Sequence, residues 1–203
     1  MFNYVSSEEA VSIIKSGDRI FGHGSACTPN LLYDELAKQS SRLSNVEMVS
    51  ITQQGNVEIA KPQYKDSFYV NSLFTSAPVR EAVNNENGDY VPIFLSEIPI
   101  LFKEGHLPLD VAMVTVSPPD AHGYCTLGTS VDVARGAVDS AKTVIAIINP
   151  KMPRTHGDGM IHISKFSKIV ENDDDLLTID YGEKVGEEEM LIGKNVAELI
   201  DDK

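Results

Sequence analysis

Long hydrophobic runs are missing from this 203-residue chain. No apolar stretch approaches the ~18 residues that a membrane span needs. The longest strand-like apolar cores are Val111–Val116 and Val144–Ile148. The amino-terminal MFNYVSSEEA has no basic region and no apolar region, so it does not read as a secretory signal. Cysteine is scarce as well. Cys27 and Cys125 do not make a disulfide framework, and a reduced, cytoplasmic setting is the expectation. Positive charge is short: 17 Lys and Arg stand against 30 Asp and Glu, a net charge of −13. Nucleic acid needs a basic face, and none is written here. The acid is uneven, since Glu171–Lys203 holds 12 Asp/Glu and 3 Lys. Apolar residues such as Leu176, Leu177, Ile179, Met190, Leu191 and Ile192 interrupt that acidic tail, which reads as solvated surface rather than as an interaction tail.

Several chemical signatures are also absent. There is no Cys-x-x-Cys and no His-Glu-x-x-His, and the spacing of His156, Asp158 and His162 matches no common zinc site, so no metal is expected. No Gly-Lys-Ser/Thr occurs, which excludes a P-loop. Gly24-Ser25 lacks the Gly-x-Ser-x-Gly frame of a nucleophile elbow.

What is present is an alternation of strand and helix patterns. Ser6-Ser7-Glu8-Glu9 predicts a capped helix start, and Gly17-Asp18 its stop. A strand is predicted at Arg19–Phe21, followed by the turn Gly22–Ser25. Thr28-Pro29 predicts the cap and first residue of a second helix. Further strands are predicted at Val46–Thr52, Phe68–Leu73, Val91–Leu95, Val111–Ser117 and Thr143–Asn149, with an edge strand at Ile161–Phe166. Helices are predicted at Ala77–Asn84, Ile98–Lys103 and Val131–Ala141, and a last helical piece at Asn195–Ile200. The pattern implies an α/β fold, a mainly parallel sheet with helices on both faces. Ligands of such sheets bind outside the carboxyl ends of the strands.

Three loops fall at those ends. The first is Gly22-His23-Gly24-Ser25-Ala26-Cys27, where two glycines let the backbone approach a ligand and the following N–H groups favour an anion or a developing oxyanion. A tight turn without a ligand fits it equally well. Cys27 near a helix start invites a nucleophile reading, with packing as the stronger alternative. The second is Ser117-Pro118-Pro119-Asp120-Ala121-His122-Gly123-Tyr124-Cys125-Thr126-Leu127-Gly128. Asp120 can close an Asx-type turn and Gly123 allows positive φ, while His122 and Tyr124 have the reach to meet a ligand. A rigid turn into a hairpin fits these residues as well. The third is Asn149-Pro150-Lys151-Met152-Pro153-Arg154-Thr155-His156-Gly157-Asp158, in which Lys151 and Arg154 suit a phosphate or a carboxylate, or plain surface.

These stretches carry a resemblance. With Gly17-Asp18-Arg19-Ile20 leading into Gly22-His23-Gly24, the chain resembles the N-terminal domain of the acetyl-CoA hydrolase/transferase family, nearest to 4-hydroxybutyrate and acetate CoA-transferases. The resemblance spans essentially all of residues 1–203, about half of a family member. It implies a domain related in fold to ribose-5-phosphate isomerase and glucosamine-phosphate deaminase. It implies transfer of CoA from an acyl-CoA to a short free carboxylate, with coenzyme A as substrate and no covalently bound cofactor. A glutamate attacks the thioester, and an acyl-glutamyl anhydride gives way to a glutamyl-CoA thioester. That glutamate belongs to a C-terminal domain expected beyond Lys203. None of Glu8, Glu35, Glu58, Glu97 or Glu104 stands in a matching context, so the chain by itself is expected to be inactive. What carries over is a cleft wall made of Gly22, His23, Gly24, Pro119, Asp120, His122, Gly123, Tyr124, Asn149 and Arg154. A homo-oligomer is implied; no nucleic acid and no membrane partner are. The other readings are an acyl-CoA hydrolase of the same family, a non-catalytic CoA or acyl-CoA binding module, and a small sugar-phosphate isomerase or deaminase using His23, Asp120, Lys151 and Arg154.

Overall fold

The structure is a computed structural model that describes residues 4–85, 87–180 and 185–201. Its frame is a seven-stranded sheet. The strands are β1 (Arg19–Gly22), β2 (Val46–Ser50), β3 (Phe68–Ser72), β4 (Gly88–Tyr90), β5 (Val111–Val116), β7 (Thr143–Ile148) and β9 (Lys168–Glu171). Their order is β4-β3-β2-β1-β5-β7-β9, and every pair is parallel. Two further strands, β6 (Tyr124–Thr126) and β8 (Met160–His162), form an antiparallel ribbon. Helices α1 (Ser7–Val11), α2 (Asn30–Lys38) and α3 (Arg80–Asn84) contribute to the core on one face of the sheet; α4 (Ile98–Lys103) and α5 (Ala134–Ser140) contribute to the core on the other. Helix α6 (Glu187–Ala197) buries no residue.

The sheet reads as the sequence dictates. Successive strand residues face opposite layers: Ile20, Met48 and Val70 join one apolar cluster, and Phe21, Val49 and Val114 the other. All six residues of β5 are buried, which is why its run of apolar and β-branched residues shows no alternation. Ser6 caps α1 as its spacing predicts, its Oγ accepting from the Glu9 N–H at 3.1 Å.

Several predicted elements shift for physical reasons. Val91–Leu95 is not a strand; pairing stops at Tyr90, and Pro92 has no N–H to extend it. Gly88 opens β4 because a Cβ there would lie 2.6 Å from the Val70 carbonyl. Ile161–Phe166 is not an edge strand of the main sheet. Residues 160–162 pair with β6, and the chain then turns through Ile163–Lys165. The edge is instead β9, which the sequence reading missed. Thr28 does not cap α2: its hydroxyl donates to the Ser25 carbonyl and accepts from the Gln54 N–H, and the helix opens at Asn30. Helix α5 opens at Ala134, later than Val131, because Asp132 adopts φ 24°. The last helix runs over Glu187–Ala197 rather than from Asn195. Among the described residues no helix is long and apolar enough to cross a membrane.

Candidate functional site

Strand β1 pairs with β2 on one side and β5 on the other, so the chain direction across the sheet reverses between β1 and β5. A crevice forms at the carboxyl ends of the strands flanking such a reversal. The three loops picked out in the sequence leave β1, β5 and β7 at this edge.

The loop after β1 is built tightly. Gly22 leaves no room for a side chain beside Tyr33, since a Cβ there would sit 1.6 Å from the Tyr33 hydroxyl. Tyr33 OH donates to Gln53 Oε1 at 2.8 Å, and Gln53 Nε2 donates to the carbonyls of Gly22, His23 and Ile51 at 3.0, 3.0 and 3.1 Å. Gln53 is wholly buried. At Gly24 a Cβ would meet Thr52 Oγ1 at 2.9 Å. Ser25 and Thr52 both take left-handed backbone angles, φ 54° and 31°, and their hydroxyls lie 3.2 Å apart. Non-glycine residues held in that region gather where surrounding structure over-determines them.

His23 and Cys27 are fully buried, so neither faces an open cleft. The thiol packs toward the Leu127 carbonyl at 3.6 Å and Thr129 Oγ1 at 3.4 Å, which favours packing over a nucleophilic role. Burial opposes charge on both groups. Their mutual attraction outweighs it, raising the His23 pKa and lowering that of Cys27. The Thr115 N–H lies 3.2 Å from His23 Nδ1 and needs that nitrogen unprotonated, and this bond holds the ring neutral against the pull of the thiol. Cys125, in contrast, is pushed up to about 11 by burial.

The loop after β5 is closed by Asp120. Its Oδ1 accepts from the N–H groups of His122 and Tyr124 at 2.9 and 2.8 Å, and Gly123 turns at φ 84°. The N–H of Tyr124 first, then that of His122 and the Arg154 guanidinium, holds the Asp120 carboxyl below the usual range against partial burial. Arg154 arrives from the loop after β7. It donates to Asp120 Oδ2 at 2.7 Å and to the Tyr124 carbonyl at 3.0 Å, so one guanidinium joins the second and third loops. The Tyr124 ring meets His162 edge-on at 5.1 Å, while His122 is exposed. Asn149 is buried and donates to the Asp174 carbonyl at 2.9 Å; Lys151 pairs with Asp175 at 2.8 Å.

The structure therefore gathers the expected residues at one edge, but in different states. Pro119 lines an open cavity of about 470 Å³ with Tyr4, Pro118, Ile148, Pro150 and Glu171. Ala26, Thr28, Thr115 and Asn149 line a second, of about 150 Å³, beneath Asp174–Leu177. His23, Asp120 and Arg154 are spent on holding the loops together. Gln53, Tyr33 and Ser130 were not foreseen. A clue to Gln53 was available: Gln53-Gln54-Gly55 follows a strand just as the other three loops do. Among the described residues no cluster of three or more His, Cys, Asp or Glu is placed to hold a metal ion. Glu35, Glu58 and Glu104 pair with Lys38, Lys61 and His106.

Comparison with known proteins bears on this arrangement. The chain is 41% identical over 198 residues to a 4-hydroxybutyrate coenzyme A transferase of Clostridium kluyveri, covering 98% of this chain and 46% of that protein. It is 40% identical over 164 residues to a succinyl-CoA:acetate/propanoyl-CoA:succinate CoA transferase of Fasciola hepatica, covering 80% of this chain and 34% of that protein. Among solved structures, RipA from Yersinia pestis superposes with a TM-score of 0.88 at 28% identity, over 98% of this chain and 49% of that one. A 4-hydroxybutyrate CoA-transferase of Porphyromonas gingivalis gives a TM-score of 0.82 at 29% identity, over 98% and 46%. The chain thus spans about half the length of these relatives or less. Residues 3–179 match the family model of the acetyl-CoA hydrolase/transferase N-terminal domain, and the chain belongs to that family.

Proposed function

We propose that this chain forms one wall of a CoA-transfer cleft. Residues 1–203 are then the N-terminal domain of an enzyme that moves CoA between an acyl-CoA, of the 4-hydroxybutyryl or acetyl type, and a short carboxylate. The attacking glutamate comes from a second, C-terminal domain. The glutamate carboxylate adds to the thioester carbonyl and expels CoA thiolate, giving an acyl-glutamyl anhydride. The thiolate then attacks the glutamyl carbonyl and releases the first carboxylate. The second carboxylate reverses the sequence, and the thioester's free energy is kept throughout. The observation that carries this reading is the placement of three family-matching loops at the carboxyl edge of β1, β5 and β7, the second and third of them joined by the Arg154–Asp120 pair. No described glutamate stands free and buried at that edge, in keeping with a nucleophile supplied from elsewhere.

The test has two arms. The purified 203-residue chain, given butyryl-CoA or acetyl-CoA with labelled acetate, is expected to show no exchange. Steady turnover by this chain alone overturns the split-site reading. A polypeptide carrying both domains is expected to transfer CoA to acetate and to accumulate a glutamyl-CoA thioester that borohydride reduces. Release of the acyl group to water alone, with acetate ignored, assigns it as a hydrolase instead.

A further inference from the structure

The imidazole of His23 is bound at both nitrogens. Nδ1 lies 3.2 Å from the Thr115 N–H, and Nε2 lies 2.5 Å from the Ser130 carbonyl oxygen. A backbone N–H can only donate and a carbonyl can only accept, so both bonds require one form, the neutral ring with its proton on Nε2. The other neutral tautomer would set two donors face to face at Thr115 and two lone pairs face to face at Ser130.

The bridge joins three distant stretches of chain. His23 leaves β1, Thr115 belongs to β5 across the reversal point, and Ser130 follows ribbon strand β6. Other bonds meet at the same junction. Thr115 Oγ1 donates to the Cys27 carbonyl at 2.9 Å, and Cys27 Sγ lies 3.4 Å from Thr129 Oγ1. Strain gathers here too: Ser25 and Asp132, each two residues from an end of the bridge, are held at φ 54° and 24°. Such angles persist only where the neighbourhood fixes them. Beyond the bridge, Ala26 forms part of the rim of the smaller cavity, together with Thr115 and Asn149.

We propose that His23 is a positioning residue, a neutral clasp between Thr115 and Ser130 that fixes the Gly24–Cys27 rim against which the CoA thioester is presented. It touches no substrate and acts through the loop it holds. The proposal rests on the reading of this edge as a CoA-transfer wall.

The experiment uses the whole 203-residue chain. Nitrogen-15 spectra of the imidazole at pH 7 are expected to show the Nε2–H tautomer; an Nδ1–H ring or an imidazolium overturns the clasp. The two buried thiols report on the loop. Alkylation by iodoacetamide, mapped by mass, is expected to speed up at least tenfold at Cys27 in His23→Ala and to leave Cys125 as slow as in the wild type. His23→Gln, whose amide keeps a donor for Ser130, is expected to restore part of the protection, an effect that simple loss of core volume does not give. Unchanged protection at Cys27, or equal exposure of both thiols, overturns the assignment. Acetyl-CoA titrated into labelled protein is expected to shift the Gly24–Cys27 amides in the wild type and to bind His23→Ala at least tenfold more weakly. Equal affinity with an opened loop overturns the role toward substrate. A wild type whose amides do not respond to acetyl-CoA, with the loop opening as described, sinks the cleft reading while sustaining the clasp.

Discussion

Gly22 and Gln53 show how little freedom single residues have beside the reversal point. A Cβ at Gly22 collides with the Tyr33 hydroxyl at 1.6 Å. Gly22→Ala is therefore expected to be strongly destabilising, and the added change Tyr33→Phe to recover part of the loss, because the hydroxyl is gone but the ring edge remains close. Urea midpoints of the single and double variants check this. Gln53→Ala would remove the bonds that this buried amide makes to three carbonyls and to the Tyr33 hydroxyl, an expected cost of about 2–4 kcal/mol in chemical denaturation. Asp120 gives a pH prediction. Its folded pKa is depressed, so its contribution is present above the unfolded value of about 3.9 and is lost as pH falls through the folded one. The amide resonances of His122 and Tyr124 are expected to move together in acid with a midpoint below about 3.9, and a midpoint above that value refutes the assignment. The turn at Asp120 was legible in Pro118-Pro119-Asp120 followed by Gly123. The inward role of His23 was not, because a Gly-His-Gly string does not say which way its imidazole points. The meetings with Thr115 and with Ser130, the latter 107 positions along the chain, hold it in the core.

At the scale of elements, long apolar segments were legible and short edge pieces were not. Strand β5 and helix α4 stand where their residues place them. Strands β4 and β9 have three and four residues and sit at the two edges of the sheet, where pairing rather than side-chain pattern decides the ends. The mistaken strand at Val91–Leu95 shows the limit: its residues have the right composition, yet β3 ends at Ser72, and after the Val91 N–H bonds that carbonyl at 2.9 Å the neighbouring strand offers nothing more. Helix α6 carries the opposite lesson. Met190, Leu191, Ile192 and Val196 are all more than half exposed, so the helix takes little stability from the body. Removal of residues 185–203 is expected to leave the melting temperature within about 2 °C, since a change of 1 kcal/mol shifts a domain of this size by about 2–4 °C. Calorimetry of the shortened chain checks this, and a larger fall would mean that the helix docks on the sheet layers.

For the molecule as a whole, the parallel sheet sends every strand toward one edge, and all three candidate loops follow from that. Phe74 follows β3, Tyr90 ends β4 and Phe94 follows it, each more than half exposed. The central place of β1 has a consequence for how the chain comes into being. Its partner β2 lies a few dozen residues ahead, but β5 arrives only after residue 110. A nascent polypeptide released before that point holds β1 with one flank bare, a row of unanswered amides open to any passing strand. Ribosome-bound pieces ending near Asp110 are expected to be protease-sensitive and prone to associate. Pieces extended past Ile148, where β5 and β7 are both available, are expected to become resistant in a single step, and gradual protection with length would refute that.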